Sequence, residues 1–108
     1  MKVSTEYRQA LHDTRLALRY YNQERKYTQA HLTAWCDLAQ ELYPDTPQCL
    51  YADLRNAFVH GCLVGYEFVL VFSPPSCYDR LQADAFMAGV KHGEDVYADE
   101  NYSDDEDY

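Results

Sequence analysis

The residues of this chain best suited to chemistry are its four histidines, His12, His31, His60 and His92, and its four cysteines, Cys36, Cys49, Cys62 and Cys77. Neutral imidazole and thiolate together suit zinc, but such sites draw their ligands from short knuckles or from pairs one helical turn apart. Here the cysteines stand 13 to 15 residues apart with no C-x-x-C pair, and the histidines are spread over four helical patterns. No metal and no cofactor is expected. A cysteine nucleophile would need a histidine beside it in space; Cys62 with His92 and His60 with Cys77 are pairs that a helical hairpin would allow, and nothing in the spacing selects either. The chain is therefore read as a non-enzyme with no catalytic residue. In a reducing compartment the cysteines are expected to be buried free thiols.

Charge carries more information than nucleophiles do. The 108 residues have a formal net charge of −9, distributed very unevenly. Lys2, Arg8, Arg15, Arg19, Arg25 and Lys26 lie in the first 26 positions against three acids, a local balance of +3. From Glu94 onward the sign reverses: Glu94, Asp95, Asp99, Glu100, Asp104, Asp105, Glu106 and Asp107 meet no cation and are interleaved with Tyr97, Tyr102 and Tyr108. Four successive acids in extended chain place one charge per about 3.3 Å, close to the spacing of about 3.4 Å per phosphate along one DNA strand. In a helix, Asp95 and Asp99 would lie about 6 Å apart along the axis. Either form offers carboxylates to a surface of Lys and Arg built for a phosphate backbone, and the tyrosines add contact area at small entropic cost.

A small, acidic, mostly helical protein ending in this Tyr-Asp/Glu run resembles the nucleic-acid-mimic inhibitors that phages use against restriction and CRISPR systems. The likeness is one of composition and of residues 94–108. It implies a non-enzymatic, anti-defence inhibitor, of the anti-CRISPR or anti-restriction type, that occupies a basic nucleic-acid-binding surface of a partner protein. In that reading Glu94, Asp95, Tyr97, Asp99, Glu100, Tyr102, Asp104, Asp105, Glu106, Asp107 and Tyr108 meet the partner. Proteins of that class usually spread acids over the folded body as well, whereas residues 27–93 carry only −4. The contact is thus expected to be led by the end of the chain.

The elements that must position this end are set by a repeat. Ala57-Phe58-x-x-Gly61-x-x-x-Gly65 returns as Ala85-Phe86-x-x-Gly89-x-x-x-Gly93, and the two copies contain all four glycines. Each glycine inside a helix costs about 1 kcal/mol relative to alanine, so close packing of one glycine face on the other is expected to offset it. Before this pair, positions 7, 10, 11, 14, 17, 18 and 21 form a stripe of helical period over residues 4–25. A second helix is expected from an N-cap at Thr28 to Tyr43, where Pro44 stops it, with Leu32, Trp35, Ala39 and Leu42 buried. Thr46-Pro47 reads as the start of the first glycine helix, and Ser76 to Asp79 as the capping box of the second.

The expected fold is an all-α, compact bundle of about four helices over residues 1–93, with a central glycine-faced helix pair and an acidic segment from 94 to 108; the alternative is α+β with a short strand at 67–72. The apolar run Ala57–Phe72 is interrupted by His60 and Glu67, and falls short of the roughly 20 apolar residues a membrane span needs. Met1 to Glu6 leads into a charged helix pattern, so a cytoplasmic location is expected, the host cytoplasm for a phage-encoded protein. Two further functional readings stand beside the inhibitor. One is a helical adaptor or homodimer joined through the glycine faces or Glu67–Phe72. The other is a nucleic-acid binder using the basic first helix, with the acidic end as its intramolecular competitor.

Overall fold

A computed structural model describes residues 5–20, 25–45, 51–68, 74 and 76–102, and these form four helices: α1 (Thr5–Tyr20), α2 (Gln29–Leu42), α3 (Ala52–Phe68) and α4 (Arg80–Tyr102). The fold is an all-α bundle. Among the described residues there is no strand; Glu67 and Phe68 close α3 as helix, and residues 69–72 of the alternative strand lie outside the described residues. Helix α3 packs against all three others, which explains why it is apolar around its whole circumference. Phe58, Val59, Cys62 and Leu63 are buried on different sides of it, in one core with Ala10 and Leu18 of α1, Leu32, Trp35 and Ala39 of α2, and Ala85, Phe86 and Val90 of α4; Thr14 of α1 is buried too.

The glycines lie where the axes of α3 and α4 come closest. A Cβ on Gly61 would overlap the Phe86 carbonyl oxygen and stand 2.8 Å from the Val90 nitrogen, while one on Gly89 would overlap the Phe58 carbonyl and stand 2.8 Å from the Cys62 nitrogen. Gly65 meets Val90 in the same way, and Gly93 meets Cys62 and Tyr66. Contacts on both helices rise together in number, so α3 and α4 run parallel. Each partner of a contact is 28 residues from its counterpart, so the sequence repeat is an internal two-fold: each copy supplies the groove for the other. A parallel pair needs a return connection. The eleven residues between Phe68 and Arg80 can span about 36 Å when extended, more than the length of about 25 Å for a helix of this size.

Local signals explain most helix ends. Thr28 has extended backbone (φ −112°, ψ 173°), its hydroxyl accepts from His31 N–H, and its own N–H donates to His31 Nδ1 at 3.0 Å. That is a capping box in which histidine replaces the usual Glu or Gln. The box of α4 lies three residues later than the sequence suggested: Asp79 Oδ1 accepts from Gln82 N–H at 2.9 Å and Gln82 Oε1 accepts from Asp79 N–H at 3.0 Å. Asp79 is the cap and not the N3 partner of Ser76, because Gln82 can return the second bond. Helix α1 is described to Tyr20, residues 21–24 lie outside the described residues, and Arg25, expected at its end, is outside the helix. Leu42, expected in the core, is 51% exposed because α2 ends there; the next residue, Tyr43, turns in to pack on Phe58. Thr46 and Pro47 lie outside the described residues. At the visible start of α3, Asp45 accepts from Tyr51 N–H and from the buried Arg55 guanidinium, which also donates to the Tyr43 carbonyl.

Candidate interaction site at the acidic end of α4

No structural break coincides with the change of composition at Glu94. Helix α4 continues for nine more residues, to Tyr102. The acidic segment therefore divides into a helical part, 94–102, and residues 103–108, among them Asp104, Asp105, Glu106, Asp107 and Tyr108, which lie outside the described residues. Within the helical part, Asp95 and Asp99 are exposed one turn apart on the outer face and Glu94 is half-buried. Lys91 stands 3.9 Å from Asp95, an exposed pair of little energetic weight. The last turn carries no basic residue.

Two other members of the segment are tied to the fold, Tyr97 half-buried and Glu100 exposed but bonded at its carboxylate. Tyr97 packs edge-on against Tyr66 with ring centroids 5.6 Å apart, and Lys26 Nζ lies 5.1 Å from the Tyr97 ring. Glu100 is held on both oxygens: Tyr66 hydroxyl donates to Oε1 at 2.5 Å and His31 Nε2 lies 2.8 Å from Oε2. Because His31 Nδ1 accepts from the Thr28 N–H, the ring proton resides on Nε2 and is donated to Glu100. His31 in turn stacks on Trp35 and tilts against Tyr66. The bonds from Tyr66 and His31 hold the Glu100 carboxyl below the usual carboxylate range, while burial and the Glu100 charge push the Tyr66 phenol up. Glu100 thus joins the cap of α2 to the last turns of α3 and α4, and Tyr97 and Glu100 act as struts behind Asp95 and Asp99.

A second carboxylate works at the same end. Glu67 is wholly buried, and its oxygens accept from Lys26 N–H at 2.7 and 2.8 Å and from Tyr27 N–H at 2.8 Å. It ties the link between α1 and α2 to the end of α3. Burial raises its pKa, partly offset by those N–H donors. Tyr27, which fits no helical stripe in the sequence, is buried beside it. Neither Glu67 nor the His31–Glu100–Tyr66 group was legible as a site; a lone acid inside an apolar run, which must find donors when buried, was the available signal for the first.

Among the described residues no hydrogen bond joins Cys62 to His92 or His60 to Cys77. Cys62 is fully buried and burial drives its thiol pKa well up, the opposite of what a reactive thiolate requires. His92 lies near Phe58, and His60 is paired with the Tyr78 hydroxyl at 3.1 Å. Burial lowers the His60 pKa and pushes the Tyr78 phenol up to about 12. Cys36 and Cys62 are buried free thiols, Cys77 is exposed, and Cys49 lies outside the described residues. Among the described residues no group of three His, Cys, Asp or Glu side chains could hold a metal ion, and no helix is long and apolar enough to cross a membrane. Gly61, Gly65, Gly89 and Gly93 are each packed against backbone of the opposite helix inside the chain, so they offer no face to a second copy. No protein-family model, curated protein or solved structure matches this chain.

Proposed function

We propose that the protein is a non-enzymatic inhibitor that presents the acidic end of α4 and the residues after it to a basic, nucleic-acid-binding surface of a partner, in the manner of phage anti-restriction and anti-CRISPR proteins. The observation that carries this reading is the fixed display of Asp95 and Asp99 on the exposed face of a helix braced from behind by Tyr97 and Glu100. A braced helix presents its charges at little further cost in ordering on binding. The mechanism is competitive occupancy, with carboxylates pairing with Arg and Lys of the partner, so binding weakens as salt rises.

The test follows from the geometry. Removal of residues 94–108 would also remove Tyr97 and Glu100 and disturb the fold. The informative variant is Asp95→Asn/Asp99→Asn combined with Asp104→Asn/Asp105→Asn/Glu106→Gln/Asp107→Asn, which keeps every strut. DNA binding by a panel of restriction endonucleases and RNA-guided nucleases is followed by electrophoretic mobility as each protein is added. The native chain is expected to release DNA from at least one of them at low salt, and the neutralised variant to have lost at least tenfold in potency. Release of DNA by the variant at native potency, or by neither protein, would refute the reading.

A further inference from the structure

A second charged surface, of opposite sign, lies beside the first; its described counter-charge is Glu67, buried behind Arg25 and Lys26. On α1, Arg8, His12, Arg15 and Arg19 follow one another at steps of four, three and four residues and are all exposed, which places them on one face. Among the described residues none of these arginines forms an ion pair; Asp13 is engaged by Gln9 at 2.9 Å. Like charges at this spacing repel. The basic face continues into the link to α2, where Arg25 and Lys26 are exposed. Arg15 and Arg25 both flank Tyr27, and Lys26 lies over Tyr97. Lys26 therefore stands against the last turns of α4, with Arg25 next to it in the chain and Arg15 beside Tyr27.

We infer that Arg15, Arg19, Arg25 and Lys26 form a docking surface for the chain's own acidic run, Asp104 to Asp107. Charge matches four to four. Tyr102 is five residues beyond Tyr97, about 7.5 Å along the axis, and the six residues that follow reach about 20 Å when extended, so the run can fold back over the cluster. A nucleic acid is the weaker candidate occupant. The net charge of −9 repels it, whereas a segment tethered this closely acts at an effective concentration in the millimolar range. In the inhibitor reading, on which the potency arm below rests, the docked run would be held back until a more basic partner surface took it.

The docking itself is tested without a partner. In the full chain carrying Asp104→Asn/Asp105→Asn/Glu106→Gln/Asp107→Asn, the side-chain Nε–H resonances of Arg15, Arg19 and Arg25 are expected to move from their native positions while those of Arg8 and Arg80 stay. High salt should move the native signals in the same direction. Unchanged resonances, or equal movement at Arg8 and Arg80, would overturn the inference. A fluorescent oligo-dT strand added to the native chain at low salt provides the second readout: no binding is expected, and binding through α1 with the acidic run intact would make this a nucleic-acid site instead. The potency arm uses Arg15→Gln/Arg19→Gln, which leaves every acid in place. Release of the docked fraction should raise inhibition by up to about tenfold. A loss of inhibition in the neutralised chain with no gain in this one would retain the inhibitor and reject the docking.

Discussion

Glu67 and Glu100 are two carboxylates at one end of the bundle whose environments act in opposite directions. Glu67 is enclosed, and burial raises its pKa; its contribution to stability is greatest below the unfolded-state value of about 4.3 and declines as pH rises through the higher folded value. Glu100 is the reverse. Its bonds from Tyr66 and His31 lower its pKa, so its contribution is present above the unfolded value and is lost as pH falls through the folded one. Melting temperatures taken between about pH 3 and pH 7 should therefore show Glu100→Gln flattening the acid-side loss of stability and Glu67→Gln flattening the opposing trend; identical profiles for the two would contradict this assignment. Truncation is a separate matter. Glu67→Ala leaves the Lys26 and Tyr27 N–H groups without their acceptor and is expected to cost about 2–4 kcal/mol in urea unfolding, since an unmet buried donor loses its full solvation.

At the scale of elements, the two glycine helices give a prediction whose sign is unusual. Gly→Ala inside a helix ordinarily stabilises by about 1 kcal/mol, but at Gly89 the added methyl would meet the Phe58 backbone, and backbone cannot move aside as a flexible side chain can. Gly89→Ala is expected to destabilise by about 2–3 kcal/mol net, with Gly61→Ala equal to it within error because the contacts are two-fold related; a neutral or stabilising result in urea unfolding would remove the close approach of α3 and α4. The cap of α4 gives a second test: Asp79→Ala should cost about 1 kcal/mol and Ser76→Ala close to nothing. These elements also show what the sequence made legible. The Ala-Phe-x-x-Gly-x-x-x-Gly repeat announced the helix pair because the interface is made by absence of side chain, a feature that only glycine can encode. Thr28 announced α2 because a cap is a local interaction. The direction of packing was not readable, since a spacing of four marks a face without saying whether the partner runs parallel. The roles of His31, Tyr66 and Glu100 were hidden for the same reason: they meet across 34 and 69 residues of sequence, and no local pattern records such a meeting.

Over the whole molecule, charge and dipole are set against each other. Because α3 and α4 run parallel, their carbonyl ends point the same way, and each contributes roughly half a negative charge at that pole. The chain adds Asp99 and Glu100 in the last turn of α4 with no basic residue there, where cations would have been favourable. Glu100 recovers the cost through Tyr66 and His31. Asp99 is exposed and has no such bond among the described residues. Asp99→Asn is therefore expected to stabilise the fold by about 0.3–0.5 kcal/mol at low ionic strength, and added salt should raise the melting temperature of the native chain more than that of the variant, since screening relieves the same repulsion. In the inhibitor reading the same substitution lowers potency, so stability and binding move in opposite directions at one position. A variant less stable than the native protein would mean that Asp99 supports the helix end structurally, and the acids displayed there would then need an explanation within the fold instead of a partner outside it.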